Sequence, residues 1–566
     1  MTRNNSPSSR RNIVLDRRRI EGLISEGRSI IIVDDKVLKV DAWLNYHPGG
    51  DKAIRHMVGR DATDEVNALH SQEARQQMLS YQIGRIEGPW LNFIPPIQGG
   101  KFRPMRSDEE DEEEDCEVSQ AEDTLSTGSN SRVPSPIFEP ADTSPLSYRK
   151  GSRRLGTRSS SMTSMSSVEL EKTPKMSHMD ILTQKAIDLD RAKYPPLDPQ
   201  TQADIVRKYR LLNEKIKAED LYRCRYISYF IEACRYSLLF VGFLFLLHWK
   251  WYTLSAVCIG LFWHQISFTV HDAGHMGITH DFTTDTVIGV LLADFMGGLS
   301  IGWWKRSHNV HHIVTNSPEH DPDIEHIPFF AVSHRFFSNL YSTYHDKVMS
   351  YDRFAQFFIA YQNYLYYIIL LFGRFNLYVQ SWLFLSLGLG PRKGPAAWHR
   401  WFELSGHACF WFWFGYGVMY KSIDTNWHRF VFLMVSHMIT APLHLQITLS
   451  HFAMSTADNG PHESFPQKML RTTMDVDCPQ WLDFVHGGLQ FQAIHHLFPR
   501  IPRHNLRRAQ KLVQEFCTDV GIPYALYGFV DGNKEVIGHL GEVRRQMAIL
   551  AECQRTIAEG GFGLGH

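Results

Sequence analysis

Cysteine is scarce in this chain: eight occur in 566 residues, at positions 116, 224, 234, 258, 409, 478, 517 and 553, and none forms a CxxC pair. That leaves neither a zinc ribbon nor a disulfide framework, and it fits a reducing, cytosol-facing location. An excess of one charge is missing too. With 59 Lys+Arg against 60 Asp+Glu, nothing draws the chain toward nucleic acid. The opening MTRNNSPSSRRNIVLDRRR is basic but carries no apolar stretch of a signal peptide, so membrane entry is expected to rest on internal segments. High overall hydropathy is also absent, with a mean of -0.26. This average mixes a polar N-terminal third with a strongly apolar middle and excludes no membrane protein. The length exceeds one ordinary domain.

What the chain has is histidine. His271 and His275 lie in HDAGH, His308, His311 and His312 in HNVHH, and Gln492, His495 and His496 in QAIHH. On a helix, positions i, i+3 and i+4 share a face, so each cluster points two or three ligating side chains the same way. Neutral imidazole suits iron, copper, nickel and zinc, and three such segments exceed the needs of one tetrahedral zinc. Two metal ions are the natural reading.

These clusters resemble the histidine boxes of the membrane fatty-acyl and sphingolipid desaturases. The resemblance implies a non-haem diiron centre held by His271, His275, His308, His311, His312, His495 and His496. His451, in SHF near the end of the last apolar run, matches a further family ligand. Gln492, where many desaturases have histidine, is similar to the front-end subgroup; a neutral amide is the weaker donor, acting directly, through water or by hydrogen bond. Asp272, Asp321 and Asp323 read equally as partners of ligand imidazoles or as turn formers around Pro322. His264, His280, His320, His326, His437, His444, His462 and His486 lack partners at ligand spacing, and a polar helix face or loop is expected for each.

Nearer the N-terminus, Ile30 to Val33, Asp34 and Asp35, then Val37 to Val40 predict two strands about a turn. WLNYHPGG follows, then DATDEVNALHS, and together they resemble the haem-binding core of cytochrome b5. A six-coordinate electron-transfer haem needs two axial ligands from opposite walls, and His47 and His70 leave room for a helix pair between them. His56, close to His47 in sequence, is expected to be surface or structural. Pro48, Gly49 and Gly50 permit a tight turn beside the haem edge.

Composition divides the remainder. Residues 1–12 are expected to be disordered, 13–95 to form the haem domain, and 96–180, with its DEEDEEED run and Ser/Thr/Pro-rich sequence, to be a disordered tether. Residues 181–227 show amphipathic helical periodicity approaching the membrane. Residues 228–530 form the membrane domain, and 531–566 a tail. Apolar runs at 228–248 and 251–270, and at 404–422 and 428–450, are near the roughly 20 residues a bilayer crossing needs. Residues 284–303 are expected to be buried or re-entrant and 355–389 interfacial, because a crossing at 284–303 would separate the boxes. The fold class is therefore mixed: a small α+β cytochrome b5-like domain fused to an all-α four-transmembrane-helix desaturase domain with a cytosolic histidine-rich cap.

The resemblance is closest to fungal sphingolipid Δ8 desaturases acting on the long-chain base of ceramide. It implies haem b and two non-haem irons as cofactors, with O2, cytochrome b5 reductase and membrane lipids as partners. It implies an endoplasmic reticulum membrane location, multi-pass, with both termini and the active site cytosolic. A front-end Δ5 or Δ6 fatty-acyl desaturase and a b5-fusion lipid hydroxylase are the competing enzymes. A haem-bearing adaptor without catalysis is disfavoured because every box is intact.

Overall fold

The computed structural model describes residues 12–93, 101–104, 136–139 and 178–560. In the first segment, Ile30–Val33 (β1) and Lys36–Lys39 (β2) pair antiparallel about a turn in which Asp34 takes a positive φ of 57°. Gln82–Arg85 (β3) completes the three-stranded sheet. The short helices Asp51–Arg55 and Thr63–Leu69 stand between the expected axial histidines. Within 96–180, Lys101–Pro104 pairs with Pro136–Glu139, so two strands stand where composition predicted only disordered chain. Residues 178–180 of that tether open the helix His178–Lys193, and the remainder of it and residues 1–11 lie outside the described residues.

The membrane domain starts with Tyr226–His248 and Tyr252–Gly274, which are packed side by side. Leu238, Val241 and Phe245 project outward from the first of these, the pattern of a helix whose solvent is lipid. Its polar break meets that of the later hairpin: Lys250 Nζ is 3.2 Å from Asp424, which Tyr252 also reaches.

Among the described residues three helices are long and apolar enough to cross a membrane, Tyr226–His248, Tyr252–Gly274 and Asn426–Leu449. Two bent pairs raise the number to as many as five: Phe282–Met296 with Ile301–Val314 at 117°, and Gln362–Leu370 with Gly373–Leu387 at 68°. The expected crossing at 404–422 is not one regular helix, because His399–Phe410 widens at Trp411 into a π-helical stretch ending at Ser422.

Two segments pack more closely on protein than their sequence indicates. Both amphipathic helices of 181–227 form, and the second turns its apolar face toward protein: Ile205, Tyr209, Leu212 and Ile216 of Pro199–Ala218 share a core with Ile494, Leu497 and Phe498. The third box is thereby braced from behind. The supposed tail is a helix, Phe529–Gly560, with Val536, Leu540 and Val543 buried against Phe330, Tyr366 and Leu449.

The haem domain lies directly on the second box. Ile31, Leu38, Ala53 and Met57 form one core with Val310, Ile313 and Val314. Arg306 pairs with Asp51 at 3.1 Å, and Lys52 with Asp346 at 2.6 Å. The HPGG turn is pressed so closely here that a Cβ on Gly49 would fall 2.6 Å from Asn309 Nδ2, and one on Gly50, where φ is +86°, 2.8 Å from Arg306 Cγ. The positive φ makes Gly50 the position that requires glycine.

Candidate metal centre

Tyr252–Gly274 delivers His271 in its last turn and His275 at its C-cap. Ile301–Val314, capped by Ser300 on Trp303 N at 3.0 Å, delivers His308, His311 and His312. Gln492–Leu497 delivers Gln492, His495 and His496, and its start is held by Asp475, which accepts from Ala493 N at 2.8 Å. Three box segments distant in sequence thus converge, and His451 joins them from the end of the last apolar run.

They form two groups. Ligand atoms of His271, His275, His308 and His495 all lie within 4.8 Å of one another, as do those of His311, His451 and His496. His312 bridges them, its Nε2 3.1 Å from His308 Nε2 and its ring 4.3 Å from that of His496. Gln492 is buried and lines the same cavity as His271, His308, His311 and His451.

The donor chemistry fits metal. The Nε2 atoms of His271, His275 and His495 are buried without a hydrogen-bond partner, which is costly unless something accepts their lone pairs. His311 Nδ1 donates to Asp321 at 2.9 Å, and its Nε2 faces His496 Nε2, 3.2 Å away. A cation shared by such lone pairs relieves both problems, and imidazole donors suit iron.

The aspartates divide. Asp321 does both things the sequence left open: it orients His311 and ties the turn by accepting from Asn316 N at 2.7 Å and Asp323 N at 2.9 Å. Asp323 stands further off, 3.6 Å from His308 Nδ1. Asp272 faces Arg503 and Tyr229, with His271 Nδ1 at 3.8 Å.

Of the histidines set aside, His264, His320, His437 and His486 are buried instead of lying on polar faces. Local acceptors explain two of them, Leu433 O for His437 at 2.8 Å and Gln446 Oε1 for His486 at 3.2 Å. His56 is wholly buried, so its role is structural and not at the surface. Its Nε2 reaches Thr343 Oγ1 at 3.0 Å, which His320 Nδ1 meets from the other side at 2.9 Å. Burial holds His56 well below the usual imidazole range and His320 down to about 3.

Sequence reading missed three supports. Trp304 stacks on His308 with ring centres 4.4 Å apart. Arg503 bridges Asp272 and Glu232; Glu232, a carboxylate inside an apolar run, is the signal that could have found this network. Asp475 offers no such sign.

In the haem domain the rings of His47 and His70 face one another with centres 5.9 Å apart. That spacing suits an iron between them, with a metal–imidazole bond of about 2 Å on each side. His47 Nδ1 is tied to Gly50 O at 2.8 Å, which leaves its Nε2 free for a metal.

Comparison with known proteins agrees with this geometry. A model of fatty acid desaturases matches residues 223–528, more than half of the chain. The chain belongs to the fatty acid desaturase family. A second model, of the cytochrome b5-like heme/steroid binding domain, matches residues 18–87, so the desaturase carries a fused haem domain. A Delta 8-(E)-sphingolipid desaturase of Emericella nidulans is 63% identical, covering 99% of this chain and 99% of the relative. One from Candida albicans is 45% identical over 96% and 97%. A Delta(8)-fatty-acid desaturase of Helianthus annuus is 36% identical over 58% of this chain and 72% of its own length.

Proposed function

We propose that this enzyme introduces a double bond at carbon 8 of the long-chain base of ceramide, with E geometry as in the names of its fungal relatives. The observation that carries the reading is a cavity of about 170 Å³ that joins an apolar passage to both histidine groups. Trp263, Ile266, Val270, Leu292 and Ile447 line its walls, and His271, His308, His311, His451 and Gln492 its end. Such walls take an alkyl chain and exclude water.

His271, His275, His308 and His495 would hold one iron, His311, His451 and His496 the second, with His312 and Gln492 at the boundary. Two irons there would supply the O2-dependent removal of hydrogen from an unactivated alkyl C–H bond, which no side-chain base achieves. Overall, two C–H bonds are exchanged for one C=C as O2, two electrons and two protons become two waters. The protein's part is to fix the rings, as Asp321 and Trp304 do, and to align the chain. His47 and His70 would hold haem b, which would supply the electrons received from cytochrome b5 reductase. Docking of its domain on the second-box helix gives the short route that a tether alone would provide only statistically.

The reading includes four crossings, at 228–248, 251–270, 404–422 and 428–450, in the endoplasmic reticulum membrane, with termini and boxes cytosolic. It is supported by the contact between the two polar breaks at Lys250 and Asp424. Expression in a host lacking Δ8-unsaturated bases tests the activity. Carbon-8 unsaturation of the base with an unchanged amide-linked acyl chain is expected. New Δ5 or Δ6 fatty-acyl bonds, or an 8-hydroxylated base, would replace this reading with the corresponding alternative.

A further inference from the structure

A cavity of about 380 Å³ opens beside His70 at the junction of the two domains. Its charged lining is all of one kind. The haem domain contributes Arg75, the 199–223 region Lys217 and Arg223, and the segment after the third box Arg500, with His280 beside it and no carboxylate among the lining residues. Two carboxylates stand outside the cavity wall: Glu73, exposed to solvent, whose charge is felt by Arg75 and Arg500, and Glu214, which accepts from Lys217 at 2.7 Å. Nε of Arg75, Nε of Arg500 and Nδ1 of His70 are buried without hydrogen-bond partners.

Arg75 and Arg500 are held in place rather than free to swing. Arg75 Nη1 is fixed on Asn67 Oδ1 at 2.6 Å. His280 Nε2 donates to Tyr222 O at 2.7 Å, which leaves Nδ1 to accept from Arg500 Nη2 at 3.4 Å. Lys217 and Arg223 are exposed, and Lys217 pairs with Glu214 at 2.7 Å, whereas half-buried Arg75 and Arg500 repel one another, and their unpaired Nε–H groups cost stability. An anion satisfies both terms. Haem b carries two carboxylates on one edge of its ring, and a haem lying between His47 and His70 projects its edges beside these imidazoles, where the cations are.

We propose that the haem carboxylates are bound in this cavity by Arg500 of the desaturase domain together with Arg75, so that the haem site is completed by both domains. Arg500 lies four positions beyond His496, and the anchor for the electron-carrying group is therefore built on the segment that carries the third box.

The proposal rests on His47 and His70 holding haem. It is tested in the full-length protein with Arg500→Gln, Arg75→Gln and Arg500→Lys, each loaded with haem and with its dimethyl ester, which has no carboxylates. Transfer of haem to apomyoglobin is expected to be about tenfold faster or more in Arg500→Gln, as for loss of a charge-assisted hydrogen bond. Arg500→Lys should recover part of the retention. With the ester, wild type and Arg500→Gln should release the group at equal rates. The reduction potential of the natural haem should fall in Arg500→Gln, since losing a cation beside the carboxylates favours ferric iron. Equal release and equal potential for wild type and both glutamine variants would overturn the inference, as would the same acceleration with ester and haem. A wild type that takes up no low-spin haem would instead remove the axial assignment beneath it.

Discussion

Replacing Asp321 by Asn is the sharpest test of how the second histidine group is held. The carboxylate is wholly buried, and three donors converge on its two oxygens: His311 Nδ1 at 2.9 Å, Asn316 N at 2.7 Å and Asp323 N at 2.9 Å. Asparagine keeps the volume but offers one oxygen and an NH2, so in either orientation its NH2 faces a backbone N–H. An unsatisfied buried donor costs about 1 to 3 kcal/mol. The imidazole also loses the anion that makes it a better ligand, and loss of such a partner typically lowers metal affinity about 10- to 100-fold. Iron per chain should therefore fall in Asp321→Asn at limiting iron, with product formation falling alongside and recovering in part when iron is raised. Asp323→Asn serves as the control, since its carboxylate stands 3.6 Å from His308 and 3.8 Å from His311 and should change loading much less. Undiminished iron in Asp321→Asn, or an equal loss in Asp323→Asn, would refute the argument.

His47→Ala or His70→Ala should abolish the low-spin haem spectrum, whereas His56→Ala should keep it; a spectrum lost only with His56 would reverse the axial assignment. Acid should loosen the domain contact, because burial holds His56 well below its ordinary value and His320 down to about 3. The separated state takes up protons that the docked state refuses, so docking is at full strength above about pH 6.5 and weakens below it by up to about 1.4 kcal/mol per histidine per unit. Hydrogen exchange at residues 52–57 and 343–346 should rise between pH 7.5 and 5.5, and equal protection at both would exclude the effect. Ile447→Trp, placed in the cavity wall, should cut product by about 100-fold through misplacement of the chain with iron content unchanged. A glycosylation acceptor near His248 or Asp424 should be modified in the lumen, while modification of one near His311 would sink the four-crossing arrangement.

Legibility in the sequence followed the range of the physics. The box residues could be read because their spacing is a property of one helix turn, and the structure gathers their histidines with His451 into two adjoining groups. The turn beside His47 could be read because HPGG is local in sequence, and the structure brings the His70 ring opposite it. What could not be read depended on partners far away in sequence. The periodicity of Pro199–Ala218 correctly demands an apolar neighbour, but an amphipathic face looks the same whether it meets lipid or the back of the third box. The same ambiguity hid Val536, Leu540 and Val543 in a segment taken for a tail. His320 and His437 were unreadable because a lone buried histidine is satisfied by whichever carbonyl or hydroxyl the fold brings, such as Thr343 or Leu433.

The domain contact shows why this matters for function. Val310, Ile313 and Val314 share a helix with His308, His311 and His312, and they face the haem domain while the histidines face the metal cavity. One helix therefore has two buried faces, which explains why a segment rich in charge and histidine still excludes water along most of its length. A side-chain change on either face of Ile301–Val314 is felt on the other through a helix that has little room to shift. The electron donor and the oxidising site are accordingly registered to each other by packing. The contact at Gly49, Gly50, Arg306 and Asn309 is the point at which that register is set.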